Sequence, residues 1–279
     1  MIIAVASGKG GTGKTTVAAN LARVAGTDVT LLDCDVEEPN AQLFLKGDPV
    51  GTPERVTISV PEVNEAVCDG CGACGRFCAY KALAVLGKRV LVFPELCHGC
   101  GGCLRVCSKG ALRELPQRVG VVETFRAGDV TLVQGKLDVG VALAPPLIRA
   151  LKAKISVPGD TILDAPPGTS CPVVATLRET DYAVLVTEPT PFGLHDLELA
   201  VAVVRELQIP FGVVINRKGC GDDRVRDYCR EAWIPVLAEI PDDRRVAEAY
   251  SRGLLAVDAL PEYRDVFQKL WVAIRCPHD

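Results

Sequence analysis

The sequence predicts an α/β fold: a doubly wound, mainly parallel sheet with a small α+β domain inserted into it. Three observations support this. Continuous apolar runs, typical of buried parallel strands, alternate with segments of helical periodicity toward both ends of the chain. A glycine-rich loop joins the first apolar run to the first helical segment. Between residues 62 and 112 the alternation stops, and glycine and cysteine dominate.

The elements follow in order along the chain. The first strand is predicted in MIIAVAS, the first helix in TTVAANLARVAG and the second strand in DVTLLDCD. Later strands are predicted in TILDAPP, YAVLVTEP, PFGVVINR and PVLAEIP, with helices at 171–179, 193–207, 222–232 and 243–252. Such crossovers are right-handed and place helices on both faces of a parallel sheet. We expect segment 113–140 to form short antiparallel strands joined by turns at a sheet edge.

This pattern predicts two domains. One is a discontinuous α/β domain made of residues 1–61 and 113–279, and the other is the insert, residues 62–112. Of the 279 residues, 48% are hydrophobic, which is ample for a core. The net charge of −4 gives no basic field of the kind that attracts nucleic acid.

The compartment is predicted from the first residues and from the cysteines. The opening apolar run is too short to span a bilayer and does not have the pattern of a secretory signal, so we expect a cytoplasmic protein. In that compartment the 13 cysteines are interpreted as metal ligands or reduced thiols rather than disulfides.

The loop GKGGTGKT fits the pattern G-x-x-x-x-G-K-[ST], a phosphate-binding loop, in the required context of strand, loop and helix. Its glycines let backbone N–H groups surround phosphates, Lys14 reaches the β and γ oxygens, and the Thr15 hydroxyl binds Mg²⁺. The predicted nucleotide-binding residues of this loop are Gly8, Gly10, Gly11, Thr12, Gly13, Lys14, Thr15 and Thr16.

Two acidic residues, Asp33 and Asp35, end the second strand. Carboxylates at this position can hold Mg²⁺ or orient a water molecule. For Asp33 alone, a cap at the strand end is an open alternative. Asp164 ends a later strand, before PPG.

In order and spacing, KGGTGKT, LLDCDVEEPN, TILDAPPGTS, VVINR and EIPDD resemble the MinD/ParA/Mrp superfamily of P-loop ATPases, a SIMIBI-type fold, over roughly residues 1–60 and 140–260. The resemblance implies a Mg²⁺-dependent ATPase that forms a homodimer on ATP binding. The roles it implies are catalytic for Lys9, Lys14, Asp35 and Asp164; Mg²⁺ binding for Thr15, Asp33 and Asp164; and nucleotide binding for Gly168, Asn216, Arg217 and Pro241.

Within that resemblance the roles are specific. Lys9, the extra lysine of a deviant Walker A loop, reaches the nucleotide of the partner protomer. Asp35 positions the attacking water, and Asp164 is the Walker B carboxylate. The backbone N–H of Gly168 senses the γ-phosphate, and Asn216 reads the adenine.

Residues 68–78 (CDGCGACGRFC) and 97–107 (CHGCGGCLRVC) each carry C-x₂-C-x₂-C-x₃-C, the spacing of bacterial ferredoxins. In that arrangement three cysteines bind one [4Fe–4S] cluster and the fourth binds the other. The predicted ligands are Cys68, Cys71, Cys74 and Cys107 for cluster 1, and Cys97, Cys100, Cys103 and Cys78 for cluster 2.

Some features of the runs leave alternatives open. Zinc is the rival metal, because C-x₂-C pairs also bind zinc. Ala79 and Ser108 stand where ferredoxins usually have proline. We interpret His98 as a neighbour of the ligands rather than a ligand. With the insert, the chain resembles MinD-superfamily ATPases that carry a ferredoxin domain, including proteins associated with the orange-protein complex.

Outside the runs, Cys34 is predicted to be a buried small residue. Cys171 is interpreted as a plain helix-start cysteine, with a cluster bridging two protomers as the alternative. The apolar face of the last helix (Val266, Phe267, Leu270, Trp271 and Ile274) is predicted to pack on the core, with membrane contact as the alternative.

Three functions are compatible with these features. The first is an ATP-driven switch whose clusters pass electrons to an unidentified redox or metal-cofactor partner. The second is an iron–sulfur or metal-cofactor assembly factor, although the chain has no C-x-x-C pair after residue 107 of the kind that cluster carriers use. The third is a positioning ATPase of the MinD/ParA kind.

Overall fold

The computed structural model describes residues 1–155 and 159–276. The chain forms two compact units. The first unit consists of Met1–Pro53, Val122–Lys136 and the chain from Ile148 onward, and the second of Glu54–Val121 and Leu137–Leu147. The second unit includes the predicted insert of residues 62–112 and extends beyond it on both sides.

The strands are β1 (Ile2–Ala6), β2 (Val29–Asp33), β3 (Asp48–Pro49), β4 (Glu54–Val63), β5 (Leu83–Leu86), β6 (Arg89–Val92), β7 (Leu112–Ala127), β8 (Val130–Leu137), β9 (Asp160–Asp164), β10 (Tyr182–Thr187), β11 (Phe211–Lys218) and β12 (Val236–Pro241). The helices are α1 (Lys14–Val24), α2 (Ala73–Phe77), α3 (Gly102–Arg105), α4 (Pro145–Lys152), α5 (Cys171–Leu177), α6 (Pro191–Glu206), α7 (Arg224–Glu231), α8 (Arg244–Ser251), α9 (Ala256–Ala259) and α10 (Pro261–Arg275).

The main sheet has the strand order β12-β11-β10-β1-β9-β2-β8-β7-β3. Neighbouring strands from β12 to β8 run parallel. In the register of β2 and β9, Asp33 lies opposite Asp164. Because the carboxyl ends of parallel strands meet at one edge, this register brings the two predicted acidic positions together.

The core of the first unit explains why these segments fold as they do. Strands such as β1 and β10 are buried along nearly their whole length, as expected for a parallel sheet covered by helices. The last helix contributes Phe267, Leu270 and Ile274, each at most 1% exposed, to this core. The prediction that the apolar face of this helix packs on the core is therefore confirmed.

The strands and helices that the sequence predicts in the first unit are confirmed in kind and order, but the prediction for segment 113–140 is wrong. The segment contains the 16-residue strand β7 and the eight-residue strand β8. Strand β8 lies inside the sheet and pairs in parallel with β2. Strand β7 continues through Pro116 and Gly120, although both residue types are uncommon inside strands.

The second unit is small and rich in turns. Strand β4 pairs with β7, and β5 and β6 form a separate two-stranded antiparallel sheet. The short helices α2 and α3 each begin after a glycine in the left-handed region, Gly72 with φ of 77° and Gly101 with φ of 68°. Its apolar clusters contain cysteines: Cys97 packs with Val60 and Ala82, and Cys74 and Cys103 pack with Leu83.

No helix among the residues described is both long and apolar enough to cross a membrane.

Candidate functional site

The glycine-rich loop turns directly into α1, whose first residue is Lys14. Gly11 and Gly13 have φ angles of 81° and 91°, which residues with a side chain rarely adopt. Gly8 is required for a different reason, because a Cβ there would lie 2.0 Å from the backbone oxygen of Asp196 in α6. The loop therefore combines the unusual backbone geometry of a phosphate-binding turn with close packing against α6.

Beside this loop the first unit contains a cavity of about 470 Å³. Predicted residues that line it are Gly10, Gly11, Gly13, Lys14, Thr15, Thr16, Asp35, Asn216, Arg217 and Pro241. The sequence analysis missed several other lining residues, among them Asn40, Asp243, Tyr250 and Tyr263. The sequence offered only a weak signal for these residues, since Asp243 follows β12 within EIPDD and the two tyrosines belong to the later helices α8 and α10.

Lys14 is 7% exposed, and burial lowers the pKa of its ammonium, while the nearby carboxylates of Asp164 and Asp35 raise it. Burial raises the pKa of Asp35, which Lys14 opposes. Burying a charge is costly unless it is paired. The loop thus places one cation between two carboxylates at the point where phosphates would be bound.

Asp164 is fully buried, and neither of its carboxylate oxygens makes a hydrogen bond of ordinary length with the described residues. Burial raises the pKa of Asp164 well above its usual range, and the neighbouring Asp33 raises it further. The Thr15 hydroxyl and the Lys14 ammonium lie near enough to lower it. An unpartnered buried carboxylate beside a threonine hydroxyl has the oxygen chemistry that Mg²⁺ requires, so these residues fit the predicted cation.

Asp33 is also fully buried, but its carboxylate oxygens already accept hydrogen bonds from backbone N–H groups. One oxygen accepts the N–H of Asp35 at 3.2 Å, and the other accepts the N–H groups of Asn40 at 3.0 Å and Ala41 at 2.9 Å. Burial raises the pKa of Asp33 to about 7, although these hydrogen bonds oppose the shift. The geometry agrees with the alternative of a strand-end cap that holds loop 35–41, and Mg²⁺ binding by Asp33 stays a prediction.

The extra lysine of the loop, Lys9, is paired within its own chain. Its Nζ lies 3.5 Å from Oε2 of Glu188, whose Oε1 accepts a hydrogen bond from Nη1 of Arg217 at 2.7 Å. Glu188 is 8% exposed and follows β10. The sequence analysis did not select Glu188, although an acidic residue directly after a buried strand was visible in YAVLVTEP.

Two further predicted residues, Asn216 and Gly168, donate hydrogen bonds to backbone carbonyl oxygens in or next to the loop. The side-chain amide of Asn216 donates to the carbonyl oxygen of Thr12 at 2.8 Å, which ties β11 to the loop. The N–H of Gly168 donates to the carbonyl oxygen of Ser7 at 3.1 Å. Neither contact tests the predicted adenine and γ-phosphate roles, which remain predictions.

The second unit contains two cavities with cysteine in their walls. One, of about 160 Å³, is lined by Cys97, Cys100 and Cys103 of the second run together with Cys78 of the first. The other is smaller and is lined by Cys68, Cys71 and Cys74 of the first run together with Cys107 of the second. Each cavity therefore collects three cysteines from one run and the last cysteine of the other.

The two runs have matching backbone conformations. Gly70 and Gly72 in the first run, and Gly99 and Gly101 at the equivalent positions of the second, all have φ between 65° and 77°. The third cysteine of each run lies in the first turn of α2 or α3, and the fourth follows the helix. The sequence repeat is thus also a repeat of local structure.

The thiols are surrounded by apolar groups and by one another. Burial raises the pKa of Cys103 to about 11, and Cys97 and Cys100 add to the rise. Burial also raises the pKa of Cys74. Backbone N–H groups already point at sulfur: Gly99 donates to Cys97 Sγ at 3.4 Å and Ala111 to Cys107 Sγ at 3.3 Å. Such N–H bonds stabilise a thiolate that binds metal.

Across the described residues, no three His, Cys, Asp or Glu side chains gather closely enough for a single metal ion. The thiols that line each cavity are soft donors of the kind that bind iron–sulfur clusters or zinc. His98 lines the larger cavity and stacks on Tyr80, with ring centroids 3.5 Å apart.

Of the cysteines outside the runs, Cys34 is fully buried, as predicted, and burial raises the pKa of its thiol. Cys171 is exposed and is the first residue of α5. The remaining three, Cys220, Cys229 and Cys276, belong to neither cysteine cavity.

Comparison with known proteins identifies the family. The sequence matches the CobQ/CobB/MinD/ParA nucleotide-binding domain over residues 3–257. The chain belongs to this family. An uncharacterized protein of Methanocaldococcus jannaschii is 31% identical over 258 residues, which cover 91% of this chain and 90% of that protein. The iron–sulfur cluster carrier protein of Aquifex aeolicus is 29% identical, and the match covers 94% of this chain and 63% of that protein.

Solved structures of similar fold include two MinD proteins from Pyrococcus species. The cell division ATPase MinD of Pyrococcus furiosus aligns with a TM-score of 0.60 and 24% identity, covering 99% of both chains. The septum site-determining protein MinD of Pyrococcus horikoshii, solved with Mg-ADP, has a TM-score of 0.59 and 23% identity, covering 97% of this chain and 93% of that one. The predicted MinD-like α/β fold of this family member is thereby confirmed, and the ferredoxin-like insert remains a prediction.

Proposed function

We propose that this protein is a dimeric, Mg²⁺-dependent ATPase that carries two [4Fe–4S] clusters and couples its nucleotide state to electron transfer or to a redox partner. The observation that carries the proposal is the exchange of the last cysteines between the two cavities of the second unit. Two-cluster ferredoxins use this exchange, in which the fourth cysteine of each run binds the other cluster.

The donor chemistry supports clusters in both cavities. Soft thiolate ligands select iron–sulfur clusters, zinc or copper(I). The cluster 1 ligands would be Cys68, Cys71, Cys74 and Cys107, and the cluster 2 ligands Cys97, Cys100, Cys103 and Cys78. When bound, such clusters supply one-electron chemistry at low potential. The protein's own part is to hold the thiolates, donate backbone N–H groups to sulfur and limit access of water.

In the first unit, different residues bind the phosphates of ATP, hold Mg²⁺ and position the attacking water. Lys14 binds the β- and γ-phosphates, and the backbone around Gly11 and Gly13 surrounds them. Asp164 and Thr15 hold Mg²⁺, which Asp164 can do because its oxygens lack other partners in the described structure. Asp35 orients the water that attacks the γ-phosphate.

Dimerisation depends on Lys9 in this proposal. Its side chain is one-third exposed and would extend to the nucleotide of the other protomer. Hydrolysis would remove the phosphate that Lys9 contacts and would release the dimer. ATP-dependent dimerisation of Asp35→Ala, which should bind ATP without hydrolysing it, tests this part of the proposal.

Metal analysis tests the cluster assignment directly. Protein purified without oxygen should contain about eight irons and eight labile sulfides per chain. It should be brown, and oxygen should bleach it. Stoichiometric zinc without sulfide would instead show that the cavities bind zinc.

A second candidate function is supported by the similarity to an iron–sulfur cluster carrier protein. In this alternative the clusters are cargo or a docking platform for cofactor assembly. Mixing the loaded protein with an apo-ferredoxin, with and without Mg-ATP, separates the two functions. Retention of all clusters through ATP turnover supports the redox switch, and ATP-dependent transfer of iron and sulfide supports assembly.

A further inference from the structure

The contacts of Glu188 in the first unit are not explained by the roles proposed above in ATP binding and hydrolysis. Its side chain is 10% exposed and contacts two cations at once, Lys9 and Arg217. The contact to Arg217 is a hydrogen bond of 2.7 Å, whereas the contact to Lys9 is a looser ion pair of 3.5 Å. Glu188 therefore has one close partner and one partner that is easier to exchange.

Arg217 and Lys9 differ in how readily each can move away from Glu188. Arg217 lies at the end of β11, next to Asn216, which is tied to the loop through the Thr12 carbonyl. The backbone of Lys9 is held by the Ser7 hydroxyl, which donates to the Lys9 carbonyl oxygen at 2.5 Å, but its ammonium is one-third exposed. If Lys9 departs, the buried carboxylate of Glu188 still has Arg217, so the heavy penalty for an unpaired buried charge is avoided.

From these contacts we infer that Glu188 is a positioning residue that holds Lys9 within its own protomer and competes with the partner's nucleotide for the lysine. The inference rests on the proposed role of Lys9 in ATP-dependent dimerisation. Each protomer must break one Lys9–Glu188 pair to form the dimer. Glu188 thereby sets how tightly ATP closes the dimer and keeps the lone protomer from associating before ATP is bound.

The expected size of the effect follows from the exposure of the pair. Partly exposed ion pairs change an equilibrium by about 1.4- to 5-fold, and two pairs break per dimer. Glu188→Gln should therefore lower the dissociation constant of the ATP-bound dimer by about two- to thirtyfold. With Mg-ADP the variant should stay monomeric, because no γ-phosphate is present to take the lysine.

The experiment measures dimer dissociation constants by sedimentation at saturating Mg-ATP, with Asp35→Ala as the background that prevents hydrolysis. Glu188→Gln and Lys9→Ala are added separately to this background. Glu239→Gln is the matched control, because Glu239 also bridges two cations, but these are Lys218 and Arg226 rather than Lys9. Thermal unfolding checks the fold, and Glu188→Asp, which keeps the charge on a shorter side chain, replaces Glu188→Gln if that variant does not fold.

The outcomes separate the inference from the proposed function. Tighter dimers with Glu188→Gln, unchanged dimers with Glu239→Gln and no dimer with Lys9→Ala support the inference. Unchanged or weaker dimers with Glu188→Gln, while Lys9→Ala still prevents dimerisation, overturn it and leave the proposed function intact. Failure of the Asp35→Ala protein to dimerise with ATP, or normal dimers with Lys9→Ala, overturns the role of Lys9 and the inference with it.

Discussion

The nucleotide cavity of the first unit and the cysteine cavities of the second differ in the kind of group that they bury. The first unit buries ionisable groups, among them Lys14, Asp33 and Asp164. The second buries thiols, and Cys74 and Cys103 have raised pKa values that keep them neutral near pH 7. The first site has a lysine, Lys14, that opposes its carboxylates before any ligand binds, whereas the second site holds neutral thiols that become charged only when metal displaces their protons.

This difference has a consequence for stability. Buried carboxylates without a cation destabilise the folded chain, so Mg²⁺ and nucleotide should stabilise the first unit by relieving that cost. Neutral thiols in an apolar cavity cost little, so the second unit gains from metal through new bonds rather than through relief of strain. The two sites should therefore be separable by substitution.

The largest expected effect is on the cysteine sites. Cys71→Ser removes one predicted thiolate of cluster 1, and the iron content should fall from about eight to about four per chain. Nucleotide binding should stay unchanged, because Cys71 lines only a cavity of the second unit. Iron, sulfide and Mg-ADP affinity are measured on the same anaerobic sample.

Cys220→Ser provides the control for this prediction, since Cys220 is exposed and outside both runs. Its iron content should equal that of the wild type. If Cys71→Ser kept eight irons, Cys71 would not be a ligand. If it lost nucleotide binding as well, the two sites would not be separable.

The corresponding substitution in the first unit is Lys14→Ala. It removes the buried cation from the phosphate loop, and each hydrogen bond from a charged donor is worth about 1.5–3 kcal/mol. Affinity for ATP, measured by calorimetry, should fall at least about a hundredfold, while the iron content stays at the wild-type value. Lys218→Ala, at an exposed lysine that pairs with Glu239, should change neither quantity.

The same contrast explains which parts of the molecule could be predicted from sequence. Strands such as β1 and β10 were predictable because burial on both faces leaves an uninterrupted apolar run. The exchange of Cys78 and Cys107 between cavities was predictable because the spacing of each run fixes where its fourth thiol points. Both signals are local in the sequence.

The features that sequence analysis missed depend on contacts between distant segments. Glu188 becomes informative only when its strand end is placed beside Lys9 and Arg217. Tyr250 and Tyr263 line the nucleotide cavity because the fold brings α8 and α10 to its wall, which no local pattern encodes. Segment 113–140 was predicted as short strands, but β7 is one 16-residue strand that continues through Pro116 and Gly120, because sheet pairing overrides local preferences.

A smaller effect concerns pH and tests whether the buried carboxylate of Asp33 lowers the stability of the first unit when it is ionised. The pKa of Asp33 is about 7 in the folded chain and near 3.8 when unfolded. Between these values the folded state binds more protons, so the free energy of unfolding of the ligand-free protein should fall as pH rises from about 4 to about 7. The contribution is on the order of a few kcal/mol.

Asp33→Asn should flatten this dependence, because the amide does not titrate. Its thermal unfolding midpoints at pH 5 and pH 7 should differ less than those of the wild type, both measured without Mg²⁺ and nucleotide. Asp258→Asn, at an exposed carboxylate, serves as control and should keep the wild-type slope. An identical slope in Asp33→Asn would show that Asp33 does not carry the pH dependence.

The smallest expected effect asks whether the two kinds of site are coupled. The chain enters the second unit at Glu54, soon after the loop anchored by Asp33, and strand β7 contributes residues to both units. Segments near bound nucleotide shift when the γ-phosphate is lost, and small shifts can be amplified. A typical coupling of about 1–3 kcal/mol would move a one-electron cluster potential by about 40–130 mV between nucleotide states. Reciprocity then requires cluster reduction to change ATP affinity by about 5- to 150-fold.

Potentiometric titration of the clusters in Asp35→Ala measures this coupling without nucleotide, with Mg-ADP and with Mg-ATP. Lys14→Ala in the same three conditions is the control, because it should not bind nucleotide and its three curves should coincide. A shift with ATP in Asp35→Ala that is absent from Lys14→Ala would show that nucleotide state acts on the clusters. Superimposable curves in Asp35→Ala would mean that joining the two units only raises the local concentration of an electron carrier. The redox-switch role would then be wrong, although both sites could still bind their ligands, because binding at each depends only on residues of its own unit.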